Sequence, residues 1–439
     1  MAGAALSVVA TKIFAAMLGP SEVAVLATLQ QIRQAGVTGA TLNGQTALVQ
    51  GLSARSAGLS ARQERERREF LRTALLLMGT ATALVAVIAL AEPGWIAIAT
   101  GLGAGRTVLV RWLVVPLAFS SALVFLSAVL TARGAIGRLA VVQMASPAVL
   151  AALAYPIAHT VRDGREGAVV WWLAAAVAGA TVIAASLLSR LPTGYWFRGA
   201  GKWWSREAAR GFLTVSGSLL AGGAASSLVL LAARARILHQ QGFAVAGQFD
   251  AAWAISMNHV ALVLASLQTY CLPALARTSD RAERGAHLTR MLTAAALGSA
   301  AVICALALLK PVVVALLYSD AFREAARYLR WTLVGDYLRV SSWVLSIPML
   351  AAGDMRAFLA ADLSAYAVFA AVAAAVGHFR GAAEGTAIAF VLMYGAHVAV
   401  CGSIVWRRYR FQPDARTRLI WTAGLLAVVA VSAITWRTV

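Results

Sequence analysis

Charged side chains are scarce in this chain. Asp, Glu, Lys and Arg make up 13% of its 439 residues while 60% are hydrophobic; an ordinary soluble domain carries about 25% charge. So few charges cannot clothe a water-exposed surface, which argues against a soluble globular enzyme. Cysteine is nearly missing too. Cys271, Cys304 and Cys401 lie in or beside apolar runs, without metal-ligand spacing. That removes a disulfide scaffold and leaves them as small core residues. Long polar segments are also lacking. The longest non-apolar connection, Arg190–Arg210, holds one acid, Glu207, and is too short for a catalytic domain. No Walker A phosphate loop, GxSxG or HExxH occurs, so we expect no catalytic residues, no metal and no cofactor.

What the chain has in quantity is apolar sequence. Hydrophobic runs fall at roughly 2–18, 23–52, 71–91, 107–130, 139–158, 168–189, 209–233, 243–272, 289–309, 328–350, 357–377, 385–406 and 419–436. Most reach the ~20 residues that cross a ~30 Å hydrocarbon layer as helix. The fold class is therefore an all-α polytopic membrane protein, with 12 core transmembrane helices and an extra C-terminal one. The first run follows Met1 without a basic leader, so it reads as a retained helix and not a cleaved signal.

Acid is the scarcer sign: 18 Asp and Glu against 38 Lys and Arg, for a net charge of +20. Only Lys12, Lys202 and Lys310 are lysines. With the N-terminus in the cytoplasm, 23 of the basic residues fall on cytoplasmic segments and 11 on the opposite side, with Lys12, Arg33, Arg234 and Arg339 inside helices. The positive-inside bias thus favours a cytoplasmic N-terminus. Basic loops scattered between apolar spans do not suit nucleic acid. The connection Arg190–Arg210 carries Tyr195, Trp196, Trp203 and Trp204 among its basic residues, and suits a linker lying on membrane lipid. The expected organisation is a six-helix bundle over 1–190, an interfacial cytoplasmic linker over 191–208, a second six-helix bundle over 209–410, and a basic loop with an additional apolar helix over 411–439. A faint echo relates the halves: Lys12-Ile13-Phe14 precedes Gly19, and Arg236-Ile237-Leu238 precedes Gly242. Such an echo suggests a parallel repeat about an axis along the membrane normal.

Polar residues inside the runs are the candidate site. Gln30, Arg33, Gln34, Thr38, Thr41 and Gln45 recur at three- and four-residue steps, so one helix would gather them on one face. An arginine at mid-bilayer costs about 2.5–3.5 kcal/mol even on insertion scales. The face therefore lines a water- or ligand-filled cavity, or else packs as a polar interface with a neighbouring helix. Arg234 and Arg236 end a small-residue helix and could snorkel to the outer interface or contact a ligand. Asp250 and His259 lie in the eighth run. His259 reads as a hydrogen-bonded histidine ahead of a proton carrier. Asp336 and Arg339 are three apart, and a structural ion pair is the default reading. His397 stands alone and receives no role.

Several segments resemble the Wzx-type O-antigen and enterobacterial common antigen flippases, a family of the multidrug/oligosaccharidyl-lipid/polysaccharide exporter superfamily. They are Gly19-Pro20 with Gln30-Gln31 and Asn43-Gly44, then Gly247–Ser256, Tyr270–Arg277, Leu333–Val340, Met349–Phe358 and Trp406-Arg407-Arg408. The resemblance spans roughly residues 8–410. It implies two six-helix bundles around a central cavity in a bacterial inner membrane. It also implies translocation of undecaprenyl-pyrophosphate-linked oligosaccharide from the cytoplasmic to the periplasmic leaflet by alternating access, coupled to an ion gradient. The polysaccharide polymerase machinery is a further candidate partner. On this reading Arg33, Gln30, Gln34, Gln45 and Arg234 contact the headgroup, while Asp250, Asp336 and Arg339 couple or gate. The chain departs from the family at Met257, where members often carry an acid, and at Ala47, where relatives often have lysine. The run 419–436 is a third departure. Two alternatives stay open: a multidrug or small-solute exporter of similar architecture, and a membrane-embedded polymerase or glycosyltransferase.

Overall fold

A computed structural model describes residues 2–53, 61–190, 202–277 and 281–435. Among the described residues there is no strand. The helices are α1 (Ala2–Ala40), α2 (Gln45–Ser53), α3 (Ala61–Ala91), α4 (Pro93–Ala99), α5 (Thr107–Trp112), α6 (Val114–Ala132), α7 (Ile136–Arg162) and α8 (Ala168–Ser189). They continue as α9 (Arg206–Arg277), α10 (Arg281–Leu317), α11 (Ala325–Ala351), α12 (Met355–Arg380), α13 (Ala382–Tyr409) and α14 (Ala415–Ile434). Ten helical stretches among the described residues are long and apolar enough to cross a membrane. The chain is thus an all-α, multi-pass membrane protein. Residues such as Leu84, Val87, Leu308, Val312 and Leu316 stand exposed, as a lipid-facing surface requires. Most of the expected linker, 191–201, lies outside the described residues, as do 54–60.

Two helices join pairs of expected runs across a break. Gly19 in α1 adopts φ 77°, ψ −174°, and Gly242 in α9 adopts φ 81°, ψ 176°. Both combine a positive φ with an extended ψ, a region that only glycine enters cheaply. The same backbone device therefore occurs at both positions of the sequence echo.

The chain divides by contacts into two compact units: Met1–Leu18 with Val25–Ala232, and Gly19–Ala24 with Ala233–Val439. The dividing point lies inside α9. In the first unit Leu48, Leu52, Leu71, Met78, Phe125, Leu188 and Phe212 form a continuous core. The ring of Phe14 stacks on that of Trp172 at 5.2 Å. The C-terminal end of the linker is tied to α3: the Ser205 N–H donates to the Thr73 hydroxyl at 3.1 Å, and the Arg72 guanidinium lies 5.1 Å over the Trp203 ring.

In the second unit Val260, Leu288, Met291, Val340, Val344, Ile347 and Val405 pack together. Two glycines set the α12–α13 spacing. A Cβ on Gly385 would overlap the backbone of Gly377, so this hairpin depends on small residues, as close helix pairs in membranes do. The added helix α14 is fully part of this unit. The Tyr337 hydroxyl donates to the Trp421 carbonyl at 2.8 Å, the Trp421 indole donates to Ser341 at 2.8 Å, and Thr293 meets Thr417 at 2.8 Å.

Asp354 caps α12, accepting the Ala357 N–H at 3.2 Å, and takes a 2.6 Å bond from Arg408. The backbone bond and then Arg408 hold its carboxyl below the usual carboxylate range. The stabilisation is present above the ordinary carboxylate pKa and fades as pH falls through the lower folded value. Asp354→Ala should therefore lower the melting temperature in detergent at neutral pH by the equivalent of about 1 kcal/mol. The gap to the parent protein should close in acid, and a pH-independent gap would remove the cap from the account.

Candidate functional site

The polar face of the second run is not one helix. α1 ends at Ala40, and residues 41–44 form a turn in which Leu42 and Asn43 take φ of 52° and 46°. Asparagine tolerates this region, and its side chain is used: Asn43 Nδ2 donates to the Leu219 carbonyl at 2.7 Å. Gly44 sits against Phe212, leaving no room for a Cβ. Gln30, Arg33 and Gln34 lie on α1, whereas Gln45 opens α2. The expected single stripe through Gln45 is thus corrected to two segments separated by a turn. The missed signal was Asn43-Gly44, a turn dipeptide inside an apolar run.

Along this face Gln34 and Gln45 are exposed, and Gln30 and Arg33 are half-buried. Arg33 is fixed at one end, with Nη1 donating to the Ser120 hydroxyl at 2.7 Å. Ser120 in turn donates to the Pro116 carbonyl at 2.6 Å. Arg33 Nε has no hydrogen-bond partner among the described residues. Exposed amides and a half-satisfied guanidinium are poor company for hydrocarbon and good company for water or an anionic group.

The other expected cations lie elsewhere. Arg234 is buried and forms an ion pair with Asp250 across the bend at Gly242. It is therefore neither a snorkelling side chain nor an open headgroup contact in this conformation. Arg236 Nη1 donates to the carbonyls of Ala373 at 2.8 Å and Ala374 at 3.0 Å.

Asp336 and Arg339 do not pair with each other. Asp336, fully buried, accepts a 2.7 Å bond from Ser256, and His259 Nε2 lies 3.5 Å from the same oxygen. His259 Nδ1 lies 3.0 Å from the Ile255 carbonyl. Arg339 turns to the Met257 sulfur at 2.8 Å and stands 5.8 Å over the Tyr394 ring. Spacing placed both residues on one face of α11, but partners on α9 and α13 decide where each side chain goes. Met257, the departure from the family pattern, thus meets a guanidinium where an acid would have formed an ion pair.

Beyond Arg339 the polar groups continue to a pair that sequence reasoning missed. His397 Nε2 lies 3.2 Å from Asp362 Oδ1. A cavity of about 190 Å³ lies here, lined among others by Arg339, Trp343, Asp362, Tyr366, Tyr394 and His397. The two partners are on different helices, and nothing in their sequence spacing joins them. Groups of acid, imidazole and hydroxyl in this chain of contacts can hold a proton or a small cation. The described residues hold no group of three His, Cys, Asp or Glu placed to bind a metal ion.

No family model matches the chain. Over 156 residues it is 26% identical to the lipid III flippases of Escherichia coli strain K12 and Shigella flexneri, a segment that is 35% of this chain and 37% of each relative. The match therefore spans little more than a third of those relatives. Solved structures align over nearly the whole chain. An inward-facing multidrug resistance MATE family transporter of the MOP superfamily matches with a TM-score of 0.75 at 16% identity, over 98% of this chain and 96% of that one. The lipid II flippase MurJ in an inward closed conformation matches with a TM-score of 0.68 at 14% identity, over 99% and 97%. A MOP superfamily transporter from Pyrococcus furiosus, described as having a binding pocket of reversed polarity, matches with a TM-score of 0.65 at 15% identity, over 98% and 94%. The fold of this multi-pass membrane protein is that of the MOP-superfamily transporters.

Proposed function

We propose that the protein is a flippase that moves an undecaprenyl-pyrophosphate-linked oligosaccharide from the cytoplasmic to the periplasmic leaflet of a bacterial inner membrane. The observation that carries this reading is Arg33. It is a half-buried, half-satisfied guanidinium on α1, the helix that also carries Gln30 and the exposed Gln34, in a chain with the fold of flippases and exporters. A phosphate-bearing headgroup would supply the charge-assisted bonds that Arg33 lacks. The glycan would exchange water for Gln30, Gln34 and Gln45, while the polyprenyl tail stays in lipid. Alternating access would present this face to each leaflet in turn, and the partial likeness to lipid III flippases points the same way. Arg234 joins the headgroup contacts only in a conformation that separates it from Asp250. The Arg234–Asp250 pair is in this account a gate. Asp336, His259, Arg339, Asp362 and His397 form the candidate path for the driving ion.

A multidrug exporter is the second reading, favoured by the aromatic, acid-containing cavity around Asp362. At about 190 Å³ that cavity falls below the ~300–1,000 Å³ of sites for drug-sized ligands. It fits water and a small cation better. The polymerase or glycosyltransferase reading has no motif in its favour.

Cells lacking the protein should accumulate lipid-linked glycan on the cytoplasmic side, read by mass spectrometry of their undecaprenyl-linked intermediates. An unchanged inventory would refute the flippase, and single repeat units stranded on the outer face would point to a polymerase. Arg33→Ala should reproduce that accumulation while leaving the amount of folded protein unchanged, and a fully active variant would take Arg33 out of the mechanism. Asp336→Asn keeps the shape of the side chain but can neither take up nor release a proton. In proteoliposomes it should cut gradient-driven flipping at least about tenfold, as loss of a proton-carrying group within the membrane does. Flipping by Asp336→Asn at the parent rate would exclude Asp336 from coupling.

A further inference from the structure

At one end of the second unit, the C-terminal ends of α10 and α12 meet the N-terminal ends of α11 and α13 around a cavity of about 590 Å³. The basic segment 407–418 lies at the other end of these helices. Positive-inside patterning makes cations scarce at the cavity's end, yet four line it: Lys310, Arg327, Arg330 and Arg380. Two carboxylates, Glu324 and Glu384, oppose them, which leaves two positive charges in excess.

Glu384 cannot supply the balance. It is buried and already accepts from Arg327 at 2.7 Å, Arg330 at 2.9 Å and the Trp331 indole at 3.3 Å, with Arg380 at 3.9 Å. Glu324 is exposed and makes no ion pair with the four among the described residues. The residue left over is Lys310. Its side chain is 1% exposed, it lines the cavity, and its Nζ has no hydrogen-bond partner among the described residues. A buried ammonium with three donors and no acceptor is held at high cost unless an anion reaches it.

The cations differ in freedom. Lys310 and Arg330 (6% exposed) form a fixed floor, whereas Arg327 and Arg380 are more than half exposed and stand at the rim. Planar guanidiniums at the mouth and an ammonium at the base are the donor set that oxyanions of phosphorus select. Beside Lys310, Leu308, Leu309 and Val312 are exposed, and Phe379 projects at the rim with 85% exposure. The cavity thus adjoins a surface suited to lipid as well as to water.

We infer that this cavity binds a phosphate-class anion, with Lys310 and Arg330 as its floor and Arg327 and Arg380 closing over it. It is separate from the polar face carrying Arg33, and the inference does not rest on the transport reading. The phosphate could belong to a lipid headgroup or to a soluble phosphate or pyrophosphate.

The test uses the full-length protein in phosphatidylcholine nanodiscs. One arm titrates inorganic pyrophosphate by calorimetry. The other adds phosphatidylglycerol to the nanodiscs and counts retained lipid by native mass spectrometry. Lys310→Met removes the charge at constant bulk, and Arg380→Gln alters only an exposed rim residue, so at least one variant folds. Each should weaken binding about tenfold or more, as loss of a charged partner predicts, whereas Arg284→Gln, far along α10, should not. Sensitivity in the pyrophosphate arm supports the site with a soluble ligand, and sensitivity in the phosphatidylglycerol arm alone supports it with a lipid. Binding of neither probe, or equal binding by both variants and the parent, overturns the inference.

Discussion

Hydrocarbon offers no water to a charged side chain, so every ionised group sunk in this chain must find its partner within the protein or at a wet surface. With only 13% charged residues, these matches account for much of the specific geometry. Arg234 finds Asp250, Arg106 takes Glu166 through bonds of 2.7 and 2.9 Å, and Glu384 gathers three arginines. The groups whose needs are half met or unmet among the described residues, Arg33 and Lys310, are the ones that point to ligands.

The two compact units use charge differently. In the first, the half-buried cation Arg33 is held by Ser120, which is itself anchored on α6. In the second, acids and imidazoles from α9, α11, α12 and α13 follow one another across the helix interior. The proposed function assigns first contact with the cargo to one unit, and ion handling with the Arg234–Asp250 gate to the other.

The fold class was legible because hydrophobic run length is a direct physical requirement of the bilayer. The sites were legible only in part. Arg33, Asp250, Asp336 and Arg339 could be picked out as charges within apolar runs, since such residues are costly wherever they fall. Their partners could not be read the same way. Helical spacing tells which face a residue occupies, not which neighbour meets it, so Asp336 was expected to pair with Arg339 and instead met Ser256 and His259. Asp362 with His397, and Glu384 with its arginines, are pairings between helices and left no trace in local spacing. The breaks at Gly19 and Gly242 were legible as gaps between apolar runs, whereas the turn at Asn43-Gly44 lay inside a run whose hydrophobicity masked it.

The seat of α14 has a consequence for biosynthesis. A ribosome delivers α10 and α11 well before it delivers α14, and during that interval the Tyr337 hydroxyl has not yet met the Trp421 carbonyl that it binds in the finished protein. A nascent chain halted short of Trp421 would leave that phenol, fully buried in the native state, without this acceptor. Docking of α14 is thus the step that gives the Tyr337 phenol its acceptor, after the helices it packs against have been made.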